Sequence, residues 1–252
     1  MTTIKDLIMY LHRACFSPTI STWVQAIDAG YFVTWPGLTS KLVKKYLPKS
    51  IATAKGHMRQ TRQNLRSTRT SKTLSNDTTV EMTASPPPSE DDARTNCAYL
   101  TLVTITGKVA TDQTGRFPQT SSLGNKYVMV LFVQDANAIL AEPITDRSDH
   151  ELLRATQHLH DRITAVGLHP TYHVLDNECS KGMKKYLDSN DTIFQLVPPN
   201  YHRTNPAERA IATFKDHLIA GLSSTDPNFP LHLWDRIIPQ AEKTLTCYAP
   251  PH

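Results

Sequence analysis

Three acids far apart in the chain have the types and settings to do chemistry together. Asp112 stands in "TDQTGRFP", Asp176 in "YHVLDNE" and Glu208 in "NPAERAIATFKDHL". Hard oxygen donors with no His/Cys cluster beside them favour Mg²⁺ or Mn²⁺ over zinc. Three carboxylates in one place could hold two such ions roughly 3.5 to 4 Å apart, clamping the attacking and leaving oxygens of an in-line phosphoryl transfer. Left bare, the same acids would repel and raise one another's pKa values, so a cation would explain why they gather. Each acid also has a plainer use. Asp112 and Asp176 suit turns that follow strands. Asn205 as N-cap, Pro206 at the first helical position and Glu208 in the first turn fit a capping-box variant, which the helix dipole also favours.

For the acids to meet, the elements carrying them must end together. Asp112 is expected to end a first strand, "AYLTLVTITGKVATD", before a Gly/Pro turn; Asp176 is expected to end a fourth, "PTYHVLD". Glu208 opens the long helix "PAERAIATFKDHLIAG". Between them, "KYVMVLFVQD" is continuously apolar, as a strand buried on both faces would be. "NAILAEPIT" and "TIFQLVPP" read as two further strands, and "DHELLRATQHLHDRITAVG", "KGMKKYLDSN" and "LHLWDRIIPQAEKTLTCY" as helices. The order β-β-β-α-β-α-β-α-α predicts an α/β fold, a mixed five-stranded sheet flanked by helices. Ligands of such sheets collect where strands end. On the long helix, Ile211, Phe214, Leu218 and Leu222 form the expected buried stripe. Glu208, Ala212 and Lys215 follow a neighbouring flank, with Lys215 two turns on, about 10 Å from Glu208. That flank suits a track for a phosphate backbone; Lys215 taken singly is equally a solvated lysine.

Composition bounds the rest. In 252 residues, 39 % hydrophobic and 20 % charged, there is material for a globular core over part of the chain. The net charge of +4 hides an asymmetry: ten Lys or Arg and no acid lie between Lys41 and Lys72. This block, with Lys44, Lys45, Arg59, Arg62 and Arg66, suits a segment that meets a polyanion, or a solvated basic linker. Cys15, Cys97, Cys179 and Cys247 are scattered with no C-x-x-C pair, which points to reduced thiols inside a cell. The opening "MTTIKDLIMYLHR" is broken by charge and is no signal peptide, and no apolar run is long enough to span a membrane. Residues 1–60 hold short helical patterns, "STWVQAIDAGY" with Ser21 as cap and Gly30 as stop, and "TSKLVKKYLPK" with Thr39 as cap and Pro48 beyond. Too small to bury much core alone, this region is expected to dock or stay flexible. Residues 61–96, polar and Ser/Thr/Pro-rich, read as a disordered linker. Residues 97–248 carry the sheet.

On these motifs, "TDQTGRFP…SSLGNKYVMVLFVQDANAILAEPI…YHVLDNE…YHRTNPAERAIATFKDHL", the chain resembles the integrase core of LTR retrotransposons and retroviruses over roughly residues 100–245. The resemblance implies a ribonuclease-H-like fold and a D,D,E triad of Asp112, Asp176 and Glu208 holding Mg²⁺ or Mn²⁺. Around Glu208 it places His202, Asn205, Arg209 and Lys215 toward nucleic acid. It implies two reactions on DNA, trimming of an element's 3′ end by water and attack of the freed hydroxyl on a target phosphodiester, without ATP or a covalent enzyme intermediate. Element ends and target DNA are the implied partners, a homo-oligomer the implied assembly, and the nucleus or a cytoplasmic retrotransposon particle the implied location. The first 70 residues resemble the segment that precedes the core in element polyproteins. The chain departs from the family in several places. Only 31 residues separate Asp176 from Glu208, fewer than in many relatives. Pro206 replaces a frequent Gly. His12 and His57 stand apart and no C-x-x-C exists, so no zinc module is expected. With neither Y-x-D-D nor D-[ST]-G, the chain reads as a fragment of a longer polyprotein or a decayed copy. Two alternatives to integration are a catalytically inactive nucleic-acid-binding remnant and a ribonuclease-H-type nuclease.

Overall fold

The apolar run Tyr127–Val133 forms β2, and its side chains decide the architecture. Val128 and Val130 belong to one buried layer, Met129, Leu131 and Val133 to the other. A strand hydrophobic at nearly every position has to be covered on both faces. β1 (Lys108–Gln113) and β3 (Ala138–Ile144) pair antiparallel on either side of it, Asp112 opposite Val130 and Ala141 opposite the same residue. β4 (Tyr172–Leu175) and β5 (Ile193–Leu196) add in parallel beyond β1, so the strand order is β3-β2-β1-β4-β5. Short links make the antiparallel pairs; the parallel additions need helical crossovers. The result is the mixed five-stranded sheet flanked by helices that the sequence predicts. The computed structural model describes residues 3–58, 106–175, 179–197 and 206–248.

α5 (Asp149–Thr164) covers one face, laying Ala155, Leu159 and Ile163 on Val109, Met129, Leu131 and Ile144. α6 (Lys181–Ser189) follows it, packing Met183 and Leu187 with Leu175. The other face carries α7 (Pro206–Ser224) and α8 (Ile238–Thr246), whose Ala210, Phe214, Leu218, Ile238 and Ala241 meet Val128, Val130 and Ala141. The single last helix expected from the sequence is in fact a 3₁₀ segment, Leu231–Ile237, followed by α8. Pro239 is the reason: without an N–H it fits only a first helical turn. At the free edge of β3, Glu242 from α8 accepts the Ala141 amide at 2.5 Å and pairs with Arg162 of α5 at 2.7 Å. Pro143 sits on this same edge strand, the one place in a sheet where a missing N–H costs little.

The N-terminal helices α1 (Ile4–Ala14), α2 (Ile20–Asp28), α3 (Ser40–Tyr46) and α4 (Ile51–Gly56) enclose Trp23, Ile8 and Val43. They dock, in one compact unit with the sheet. Small residues make this possible. A Cβ on Gly221 of α7 would lie 1.8 Å from the Phe16 ring, and one on Gly56 2.7 Å from the Ala220 side chain. α7 is accordingly buried on more than the expected stripe: Ala210, His217, Ala220 and Gly221 are covered, while Ile211 and Leu222 are only half-buried. Thr39 caps α3 as expected, its hydroxyl accepting the Leu42 amide at 3.3 Å. For α2 the cap is Thr19 and not Ser21, since the helix starts directly after Pro18–Thr19 and Thr19 accepts the Thr22 amide at 3.3 Å. Gly30, at φ +87°, ends that helix. The segment read as a linker lies outside the described residues, as does the first part of the expected first strand; among the described residues β1 begins at Lys108, just after Gly107 at φ +75°.

Candidate active site at the end of the sheet

Asp112 is the next-to-last residue of β1, with Gln113 closing the strand. Alternation puts it with Ala110 on the face toward α7, and Val109, Thr111 and Gln113 on the face toward α5. It is half-buried, and its Oδ1 accepts the Gln113 amide at 2.7 Å, which fixes the carboxylate's direction. The turn behind it is firmly tied. Thr114 exchanges two hydrogen bonds with Val128, its amide donating at 2.8 Å and its Oγ1 accepting at 3.0 Å, and Arg147 donates to the Thr114 carbonyl at 2.8 Å. Phe117 stacks on Trp234 with ring centroids 4.2 Å apart.

Glu208 lies exposed in the first turn of α7. The residue before it, Ala207, is fully buried among Ala110, Val174 and Val197. An alanine is what permits so close an approach, and the first turn of α7 therefore rests on β1 and β4. Arg209 and Lys215 are exposed along the same helix, and Lys215 borders a groove shared with Phe117 and Trp234. Lys44 and Lys45 are exposed in the last turn of α3, with the Lys45 ammonium 5.0 Å from the Tyr46 ring centre. Asp176, His202, Asn205, Arg59, Arg62 and Arg66 lie outside the described residues. Among the described residues no three His, Cys, Asp or Glu side chains are grouped to hold a metal ion.

Two features escaped the sequence reading. Asp149, in the first turn of α5, lines a small cleft of about 40 Å³ together with Asp112, Ser180 and Cys179. "SDHE" showed a helix start but nothing of which strand end it would face. Directly under the cleft, Thr111 Oγ1 and His173 Nε2 lie 2.8 Å apart, and the His173 ring is 5.0 Å from that of His160. Burial holds His173 well below its ordinary pKa and takes His160 down to about 4. Both imidazoles are therefore neutral at physiological pH. Burial also raises the Cys179 thiol.

No protein-family model matches the chain, and no curated protein does. Several solved structures do. One is a chain of the simian T-cell lymphotropic virus intasome in complex with PP2A regulatory subunit B56 gamma, at TM-score 0.46 and 18 % identity over 55 % of this chain and 48 % of that one. Another is the HTLV-2 integrase catalytic core domain in complex with magnesium, in a dimeric form, at TM-score 0.43 and 19 % identity over 56 % of this chain and 86 % of that one. A third is the catalytic core domain of BIV integrase, at TM-score 0.38 and 15 % identity over 57 % and 80 %. The chain thus spans about half the length of the intasome protein it matches. What it is similar to, among solved structures, is the retroviral integrase catalytic core.

Proposed function

We propose that this chain is an integrase-like, metal-dependent polynucleotidyl transferase acting on DNA, with Asp112, Asp176 and Glu208 as its acids. The observation that carries the reading is the seat of Ala207 on Ala110 and Val174. Ala110 pairs with Val174 across the parallel strands, and Asp112 and Asp176 each come two residues later in the sequence. Glu208 directly follows Ala207. This relation of two strands and one helix start supports a common site for the three acids. The donors are all carboxylate oxygens, a set that fits Mg²⁺ or Mn²⁺. When bound there, such ions would act as Lewis acids on the phosphodiester and make the attacking water or hydroxyl oxygen a stronger nucleophile.

The chain's own residues do the rest. The Gln113 amide holds the Asp112 carboxylate in one orientation. Arg209 and Lys215, exposed on α7, take backbone phosphates and set the register of the duplex. In the first step water attacks a phosphodiester near the element's end, its P–O bond breaks, and a 3′-hydroxyl is released. In the second, that hydroxyl forms a new P–O bond at target DNA while the target's own 3′-oxygen leaves. Assembly as a homo-oligomer on element ends and target, in the nucleus or a retrotransposon particle, belongs to the same proposal.

Incubation with a labelled element-end duplex and Mg²⁺ or Mn²⁺ tests it. Nicking and joining are expected from the native protein, and Asp112→Asn should reduce both by about a hundredfold or more. No nicking by either protein would defeat the enzymatic reading. The exposed Lys44 and Lys45 favour a second reading, a non-catalytic binder that grips nucleic acid through the basic block 41–72. That reading requires binding that falls steeply with salt and is indifferent to Asp112→Asn. Cleavage of RNA–DNA hybrids without DNA joining would instead indicate a ribonuclease-H-type nuclease.

A further inference from the structure

The groove between the turn at 115–119 and α7 shares only Lys215 with the DNA reading above. It encloses about 720 Å³, within the roughly 300 to 1,000 Å³ typical of small-molecule sites. Leu218, Leu222 and Trp234 form its floor, and Phe117, Ile219 and Leu231 its walls. Ile219 is 42 % and Leu231 55 % exposed, and with the groove's apolar lining they make one contiguous patch. Among the described residues, two charged side chains border the groove, Arg116 and Lys215, both cations, and no acid lines it. Among the described residues neither is engaged in an ion pair. The wall is preformed: Trp234 Nε1 donates to the Gln119 carbonyl at 2.9 Å while its ring stacks parallel to Phe117.

We propose that this groove binds a small amphipathic anion, an apolar body carrying one anionic head. The apolar body would cover Leu218, Leu222, Ile219 and Leu231, and the head would sit between Arg116 and Lys215. A nucleic-acid backbone fits less well, because it would satisfy the two cations and leave the apolar floor wet. The proposal shares Lys215 with the DNA reading but does not rest on it, since none of the three acids takes part.

The probe is 1-anilinonaphthalene-8-sulfonate, which fluoresces on entering an apolar site, beside its uncharged analogue N-phenyl-1-naphthylamine. Saturation at one site per chain is expected, with the uncharged analogue binding several-fold more weakly. Ile219→Trp and Leu231→Trp, both at exposed positions that leave the core intact, fill the groove from different walls and should each weaken the sulfonate by about tenfold or more. Arg116→Gln combined with Lys215→Gln should weaken the sulfonate and leave the uncharged analogue unaffected. Octanoate should displace the probe. Equal affinity for the two naphthalenes, unchanged binding in both tryptophan variants, or displacement by duplex DNA but not by octanoate overturns the assignment. Loss of DNA nicking in Asp112→Asn without any change in probe binding keeps the two readings separate.

Discussion

Four buried histidines set how this protein responds to acid. His160 is held down at about 4 and His217 at about 3, both chiefly because burial disfavours the charged ring, and His12 and His173 are lowered for the same reason. In the unfolded chain these rings titrate near 6.5. Below that pH the unfolded state takes up protons that the folded state refuses, so stability is lost as pH falls from about 6.5 toward 4. His160 alone accounts for a loss on the order of 3 kcal/mol across that window. Denaturation midpoints measured between pH 7.5 and 4.5 should be flat above 6.5 and fall below it; a midpoint unchanged at pH 5 would refute the account. At this scale the sequence was partly legible. The places of Asp112 near a strand end and of Glu208 in a first helical turn were legible from neighbouring turn and helix-start residues. His173 did not, because its partners Thr111 and His160 come from other elements and no local pattern marks them.

Elements reveal a different limit. The hydrophobic period of α7 gave its sheet-facing side correctly at Phe214 and Leu218. Its second buried side includes Ala220 and Gly221, residues that carry almost no signal in such a pattern because they are chosen for closeness and not for bulk. Gly221→Ala places a methyl group inside the Phe16 ring, so either the ring or the helix must move. A destabilisation of about 2 kcal/mol or more is expected, read as a lower denaturant midpoint, and the combination with Phe16→Ala should recover part of it. A variant as stable as the native protein would show that Phe16 does not occupy this seat. The cap of α2 was misassigned for a simpler reason: Thr19 and Ser21 are both good caps, and only the tertiary start of the helix chooses between them.

For the whole molecule, the mixed character of the sheet was legible from connection length, since short links give antiparallel neighbours and helical crossovers parallel ones, but that β4 adds beside β1 and not beside β3 was not. What the chain's pattern withheld was that residues 3–58 share a body with the sheet, since docking is decided by shape across distant segments. One cooperative thermal transition is therefore expected for the N-terminal helices and the sheet together, followed in parallel by Trp23 fluorescence in a protein lacking the other two tryptophans and by far-ultraviolet circular dichroism. Two separated transitions would contradict it. Removing residues 1–58 should lower the midpoint strongly, because α7 would then face water along His217, Ala220 and Gly221.

The rim formed by β3 has a consequence of its own. Ala141 gives its outward hydrogen to a carboxylate of its own chain, and two residues along Pro143 has none to give. An invading ribbon arriving from another molecule would find no ladder to climb there. Copies of this protein that meet along that border must do so through side chains, and runaway stacking of sheets from that side is blocked by a single glutamate and a ring.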